Sequence, residues 1–160
     1  MVLFTSTYEN KLDKKGRVSV PARYRAVLDA AHEPLFITCS LKNPCLEGMP
    51  QSRLQRIATT LDGMDMMADK RALLEFILSQ AQEMRPDSEG RIVLDDHFIA
   101  HANLRDSETV QFVGVGGMFQ IWKPSEYQGF AKNSHNRIKG GELPPLRLNG
   151  GGQANNGGEG

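Results

Sequence analysis

The side chains able to do chemistry are few and scattered. Among the four histidines, His97 and His101 lie four residues apart, a spacing that would set both on one helical face as metal ligands often are. No third ligand accompanies them and there is no HExxH frame, so neither a metal centre nor a cofactor is expected. Cys39 and Cys45 form a C-x5-C spacing rather than a CxxC redox pair, and read as small apolar residues on paired strands. The glycines between Val113 and Phe119 lack the GxGxxG spacing and the Lys-Ser/Thr of a phosphate loop; a tight turn accounts for them. No nucleophile elbow or paired-carboxylate spacing stands out, and the chain does not read as an enzyme.

What remains is charge. The stretch LDKKGRVSVPARYR (Leu12 to Arg25), with Lys11 just before it, crowds Lys11, Lys14, Lys15, Arg17, Arg23 and Arg25 into a chain of formal net charge +0. From Glu9 to Arg25 only Glu9 and Asp13 oppose them. A protruding basic turn suits duplex DNA, because lysine meets phosphate as a point charge while arginine can pair with guanine O6 and N7. Such an arginine contact discriminates between bases by about 1–3 kcal/mol. Arg17 is expected to read bases or clamp a phosphate, with Lys14 and Lys15 on phosphates. A phosphate would repel Asp13, whose expected work is to cap the turn and orient Arg17. Arg23 and Arg25 fall on the next helix and point apart.

The frame around these residues occurs twice. MRPDSEGRIVLDDHF, Met84 to Phe98, repeats it 74 residues on, and the chain superposes on itself at that shift without a gap. Asp13 falls on Asp87, Gly16-Arg17 on Gly90-Arg91, Tyr24 on Phe98, Phe36 on Val110 and Pro50 on Pro124. Each copy starts with an extended stretch leading into Asp-x-x-Gly-Arg, where Asp accepts from nearby amides and Gly supplies a positive φ. Arg17-Val18-Ser19-Val20 then alternates as a half-buried strand, whereas Arg91-Ile92-Val93-Leu94 is more uniformly apolar and is expected to be covered on both faces. Pro21 and Asp95 open short helices, the first with Tyr24, Val27 and Leu28 inward. A hairpin follows in each copy, and Pro50 and Pro124 open further helices.

Between the copies, Met66 to Met84 carries a broad apolar helical face of Leu73, Leu74, Phe76, Ile77, Leu78 and Ala81. The expected division is a first repeat at 1–62, a connecting helix at 63–80, a second repeat at 81–138 and a disordered Gly- and Asn-rich tail at 139–160. With 39% hydrophobic and 24% charged residues, the composition is that of a soluble globular protein. No apolar run approaches the roughly 20 residues that span a bilayer, and no signal peptide is read at the start. A cytoplasmic, nucleoid-associated protein without membrane contact or small-molecule substrate is expected.

With two DxxxR frames, the first in the setting LDKKGRVSVPARYR, residues 1 to about 138 resemble the MraZ family, bacterial regulators of the division and cell-wall gene cluster within the AbrB/SpoVT-like DNA-binding group. The resemblance implies an α+β fold in which two pseudo-symmetric β-hairpin/helix repeats form a double-split, swapped-hairpin β-barrel. It also implies a homo-oligomeric ring on double-stranded DNA with repeated operator boxes, including those of its own promoter. Contact with DNA would fall to Lys11, Lys14, Lys15, Arg17 and Arg23, and Asp13, Gly16, Asp87, Gly90 and Arg91 would shape the motifs. Because Glu89 replaces Lys15, the second loop is expected to contact DNA less, its copy completing the barrel and packing on a neighbour. A non-DNA scaffold or antitoxin-like module, its basic loop on an acidic protein, is the alternative.

Overall fold

The computed structural model describes residues 2–144, 146 and 148. Most of the tail lies outside the described residues, and so does the expectation of its disorder. In chain order the elements are β1 (Thr7–Lys11), β2 (Arg17–Ser19), α1 (Ala22–Ala31), β3 (Leu35–Cys39), β4 (Cys45–Pro50), α2 (Gln51–Asp62), α3 (Asp69–Gln80), β5 (Gln82–Met84), β6 (Arg91–Val93), α4 (Asp96–His101), β7 (Thr109–Gly114), β8 (Phe119–Trp122) and α5 (Pro124–Lys139).

The two copies exchange strands. A six-stranded antiparallel sheet runs β1-β7-β8-β4-β3-β5, so each copy's first strand pairs with the other copy's hairpin. β4 and β8 join the hairpins at the centre, and β2 and β6 form a separate ribbon. This is the α+β swapped-hairpin architecture that the resemblance implied.

Aromatic side chains fill the middle. Tyr24 meets Phe4 edge-on with centroids 5.3 Å apart and lies tilted against Phe119 at 4.9 Å. Its hydroxyl donates to the Ser6 carbonyl at 2.6 Å, just where Ser6 holds a left-handed φ of 69°. Burial pushes the Tyr24 phenol up to about 12. Pro50 has no side-chain donor or acceptor to cap α2, and Glu33 supplies the missing bonds. Its carboxylate accepts from the Ser52 amide and hydroxyl, both at 2.8 Å, where the positive end of the helix dipole favours an anion. Asp95 stands at the N-cap of α4 but makes no capping bond through its side chain.

Three local expectations are corrected. The 74-residue shift holds for β1/β5, β2/β6 and the start of α1/α4, then breaks. Leu35 pairs with Met84 and Val110 with Asn10, so Leu35 is the counterpart of Val110, 75 residues on. Phe36 is only half-buried, whereas Leu35 and Val110 both lie in the core. The cause is α4, which ends a turn early and is followed by a longer connection. The second hairpin is tighter in return: Cys39 pairs with Leu46 but Gly114 with Phe119, which makes Leu46 and Phe119 counterparts 73 apart.

The second correction is β6. Val93 is 50% exposed rather than covered on both faces, because the ribbon has only one buried side. Third, the helix between the copies starts only at Asp69, as α3, and Gln82–Met84 form β5, the extended start expected of the second copy. Its side chains are not all covered: Ile77 is buried, but Leu73 and Phe76 remain 50% and 40% exposed. The two cysteines lie on opposite faces of the sheet, Cys39 in the main core and Cys45 beside Val113 and Trp122. Burial pushes the Cys45 thiol up to about 12, far from a reactive thiolate.

Candidate nucleic-acid interface

Both Asp-x-x-Gly-Arg turns close in the same way. Asp13 Oδ1 accepts from the backbone amides of Lys15 (2.9 Å) and Arg17 (2.8 Å), and Oδ2 accepts from Arg17 Nε at 2.6 Å. Asp87 repeats the set with Glu89 (2.9 Å), Arg91 (3.0 Å) and Arg91 Nε (3.0 Å). The glycines turn the chain at φ 80° (Gly16) and 77° (Gly90), a conformation in which a Cβ is strained. The Arg17 amide, together with its guanidinium and the Lys15 amide, holds the Asp13 carboxyl below its ordinary 3.8. Asp87 is lowered likewise, first by the Arg91 amide and then by the Glu89 amide and the Arg91 guanidinium.

The ribbon joins the two turns. Val20 donates its amide to the Gly90 carbonyl at 2.9 Å, and Leu94 donates to Gly16 at 2.8 Å, so each turn is tied to the other copy. Val18 pairs with Ile92 and both point into the core. Arg17 pairs with Val93 and Ser19 with Arg91, which by the period of two sets all four on the open face. Both arginines therefore look outward from one small platform. Their Nε atoms are held by aspartates, and neither guanidinium's Nη atoms have a partner among the described hydrogen bonds. An arginine fixed in this way presents two parallel N–H donors at little further entropy loss.

The structure places the residues singled out from sequence unevenly. One open groove is bordered by Lys11, Asp13, Arg17, Ser19, Arg91 and Glu108. Lys14 and Lys15 stand exposed at the neighbouring turn tip beside Asp96, Arg105 and Asp106. Arg23 is exposed on α1 and does not border the groove. Reading the sequence assigned Arg91 to motif shape alone and missed that it shares a face with Arg17. The alternation of Arg17-Val18-Ser19 and Arg91-Ile92-Val93 about a common buried pair was the available signal. The turns differ in charge: Arg91 meets a second carboxylate, Glu89, at 3.4 Å, whereas Asp13 is the carboxylate paired with Arg17. His97 and His101 gather no group of three or more metal-ligating side chains among the described residues.

Comparison with known proteins bears directly on these paired turns. A family model described as "MraZ protein, putative antitoxin-like" matches the chain twice, over residues 3–76 and 77–140, one match to each turn. This chain belongs to the MraZ family. Proteins named Transcriptional regulator MraZ are similar to it over most of its length. The one from Rhodospirillum rubrum is 41% identical over 126 residues, covering 76% of this chain and 80% of the relative. That from Pelagibacter ubique is 37% identical over 137 residues, covering 84% and 87% respectively. That from Gluconacetobacter diazotrophicus is 37% identical over 149 residues, covering 90% and 93%. The two turns of this chain differ from each other, with Lys14-Lys15 in the first and Ser88-Glu89 in the second. No helix among the described residues is long and apolar enough to cross a membrane.

Proposed function

We propose that this chain is a sequence-specific, non-catalytic DNA-binding regulator of transcription that meets the double helix with the β2–β6 ribbon and its turns. The single observation that carries the reading is the pair of outward guanidiniums, Arg17 and Arg91, each fixed through Nε by its own aspartate on one open face. Arg17 is the principal reader of base edges. Lys14 and Lys15 contact phosphates, Lys11 lines the approach, and Arg23 adds charge from α1. The reading includes the division and cell-wall gene cluster, its own promoter included, as the target and a nucleoid-associated location. The repeats at 1–62 and 81–138, with a connecting helix between them at 63–80, act as one unit.

Affinity has to come from several copies. A neutral chain with a few cations on one turn binds weakly and loses much of that binding in salt. A ring of copies on repeated operator boxes multiplies weak contacts through effective concentration. Exposed Leu73, Phe76, Met66 and Met67 around α3 support contact between copies.

The test is a filter-binding titration on a duplex taken from immediately upstream of the chain's own coding sequence. Wild type should bind at low salt, and Arg17→Ala should lose specific binding while keeping its oligomeric state. Equal affinity of the two proteins would defeat the assignment. The antitoxin-like description of the family favours one second reading, in which the basic turn holds an acidic protein instead. Failure of the folded, oligomeric protein to bind any duplex at low salt would decide for it.

A further inference from the structure

The second turn is held in place by a residue of the first copy. Arg25 lies on α1, half-buried, and its side chain reaches back so that Nε donates to the Val20 carbonyl at 3.1 Å. The amide of the same Val20 donates to the Gly90 carbonyl. The guanidinium lies directly over Gly90: a Cβ built there would sit 2.5 Å from Cζ and Nε of Arg25 and 2.9 Å from Nη1. Gly90 is therefore favoured by its φ of 77°, and a side chain there would also have to push the Arg25 guanidinium aside. The same side chain borders a surface cleft with Glu83, Arg85 and Asp87, the strand and aspartate that lead into the turn. No carboxylate lies within ion-pair distance of Arg25 among the described residues, so its charge is not spent on a surface pair.

The arrangement has no equivalent at the first turn. There the counterpart of Arg25 is Ile99, and the space over Gly16 is bounded by the Leu94 carbonyl, 2.6 Å from where a Cβ would stand. Asp13 and Lys14-Lys15 need no such cover, since that turn carries the cations and would meet phosphate directly. Its twin carries Asp87 and Glu89, both paired with Arg91 Nε, at 3.0 and 3.4 Å.

We infer that Arg25 is a positioning residue for the second DxxxR turn: its guanidinium, anchored on Val20 and laid over Gly90, holds the turn so that Arg91 faces DNA beside Arg17. The inference rests on the proposed DNA-binding reading. It makes Arg91 a second point of contact whose geometry is controlled from the first repeat.

The test is a double-mutant cycle with duplex from upstream of the chain's own coding sequence, read by fluorescence anisotropy at fixed salt. Arg25→Met keeps the aliphatic stem and removes the guanidinium. It should weaken binding about tenfold with Arg91 present, have no further effect on Arg91→Ala, and add fully to Arg17→Ala. Arg25→Lys, which cannot cover the turn as a plane, should lose nearly as much. Amide exchange on the free protein gives a second readout: Glu89 and Arg91 amides should lose protection in Arg25→Met while Lys15 and Arg17 keep theirs. If Arg25→Met costs the same in the Arg91→Ala background, Arg25 touches DNA itself and the positioning role is wrong. Unchanged protection at Glu89 and Arg91 would overturn it too. If Arg25→Met does not fold, Arg25→Lys carries the cycle and the exchange measurement alone. Absence of any binding by wild type would instead sink the DNA reading beneath it, a result separable from both.

Discussion

At the scale of single residues, the aspartates of the two turns do what their short side chains permit: one oxygen closes the turn, the other holds an arginine. Because Asp13 titrates below its ordinary 3.8 in the folded chain, its stabilising contribution is complete above that value and is lost as pH falls through the lower folded value. A carboxyl titration followed by NMR should give Asp13 a midpoint below that of an unfolded peptide of the same sequence. An equal or higher midpoint would contradict the hydrogen-bond geometry. Charge decides the difference between the turns. Glu89→Lys removes the second carboxylate beside Arg91 and adds a cation where the first turn has Lys15. Affinity for duplex should rise, and the slope of log K against log salt should steepen by about one. A slope that does not change would mean the second turn stays clear of the phosphates. The Asp-Arg pairing could be expected from the five-residue frame alone, since every partner is local. That Arg25 serves the other copy's turn could not, because its partners are distant in the chain.

At the scale of elements, the β2–β6 ribbon is short, and its stability comes from the buried Val18–Ile92 pair and the ties from Val20 and Leu94 to the opposite turns. Gly16 is where it is least tolerant. Gly16→Ala combines a φ of 80° with a Cβ only 2.6 Å from the Leu94 carbonyl, and backbone strain of this kind costs about 1–3 kcal/mol. Gly116→Ala, at φ 97° with nothing within 4 Å, should cost less. Thermal melts of the two variants check the difference; an equal loss would show that φ strain acts alone. Element types were legible from period and punctuation: strands from alternation, helices from their proline starts. The tertiary fold overrode one of these local readings. Uniform apolarity in Ile92-Val93-Leu94 pointed to a covered strand, but nothing packs on the outer side of a two-stranded ribbon.

At the scale of the whole molecule, neither repeat has a complete sheet of its own. β1 needs β7, β5 needs β3, and β4 and β8 close the centre between them. The full chain should therefore melt in a single cooperative transition. Residues 1–80 and 81–144, produced separately, should give no cooperative melt as monomers and should recover one on mixing. Two independent transitions in the intact chain would rule out the exchanged arrangement as its stable state. Swapping also explains how the copies could diverge in charge while keeping one platform: the shared core fixes the ribbon, and the outward residues are free to differ.

By itself the sequence determined the duplicated frame, the turn chemistry of Asp13 to Arg17 and Asp87 to Arg91, and the inward Tyr24, because these follow from hydrogen bonds and periodicities within a few residues. Tertiary structure alone decided that Arg17 and Arg91 share a face, that Leu35 rather than Phe36 answers Val110, and that Arg25 covers Gly90. Those facts depend on which distant strands pair and in what register, and a one-residue change in a connection reverses which side of a strand is buried.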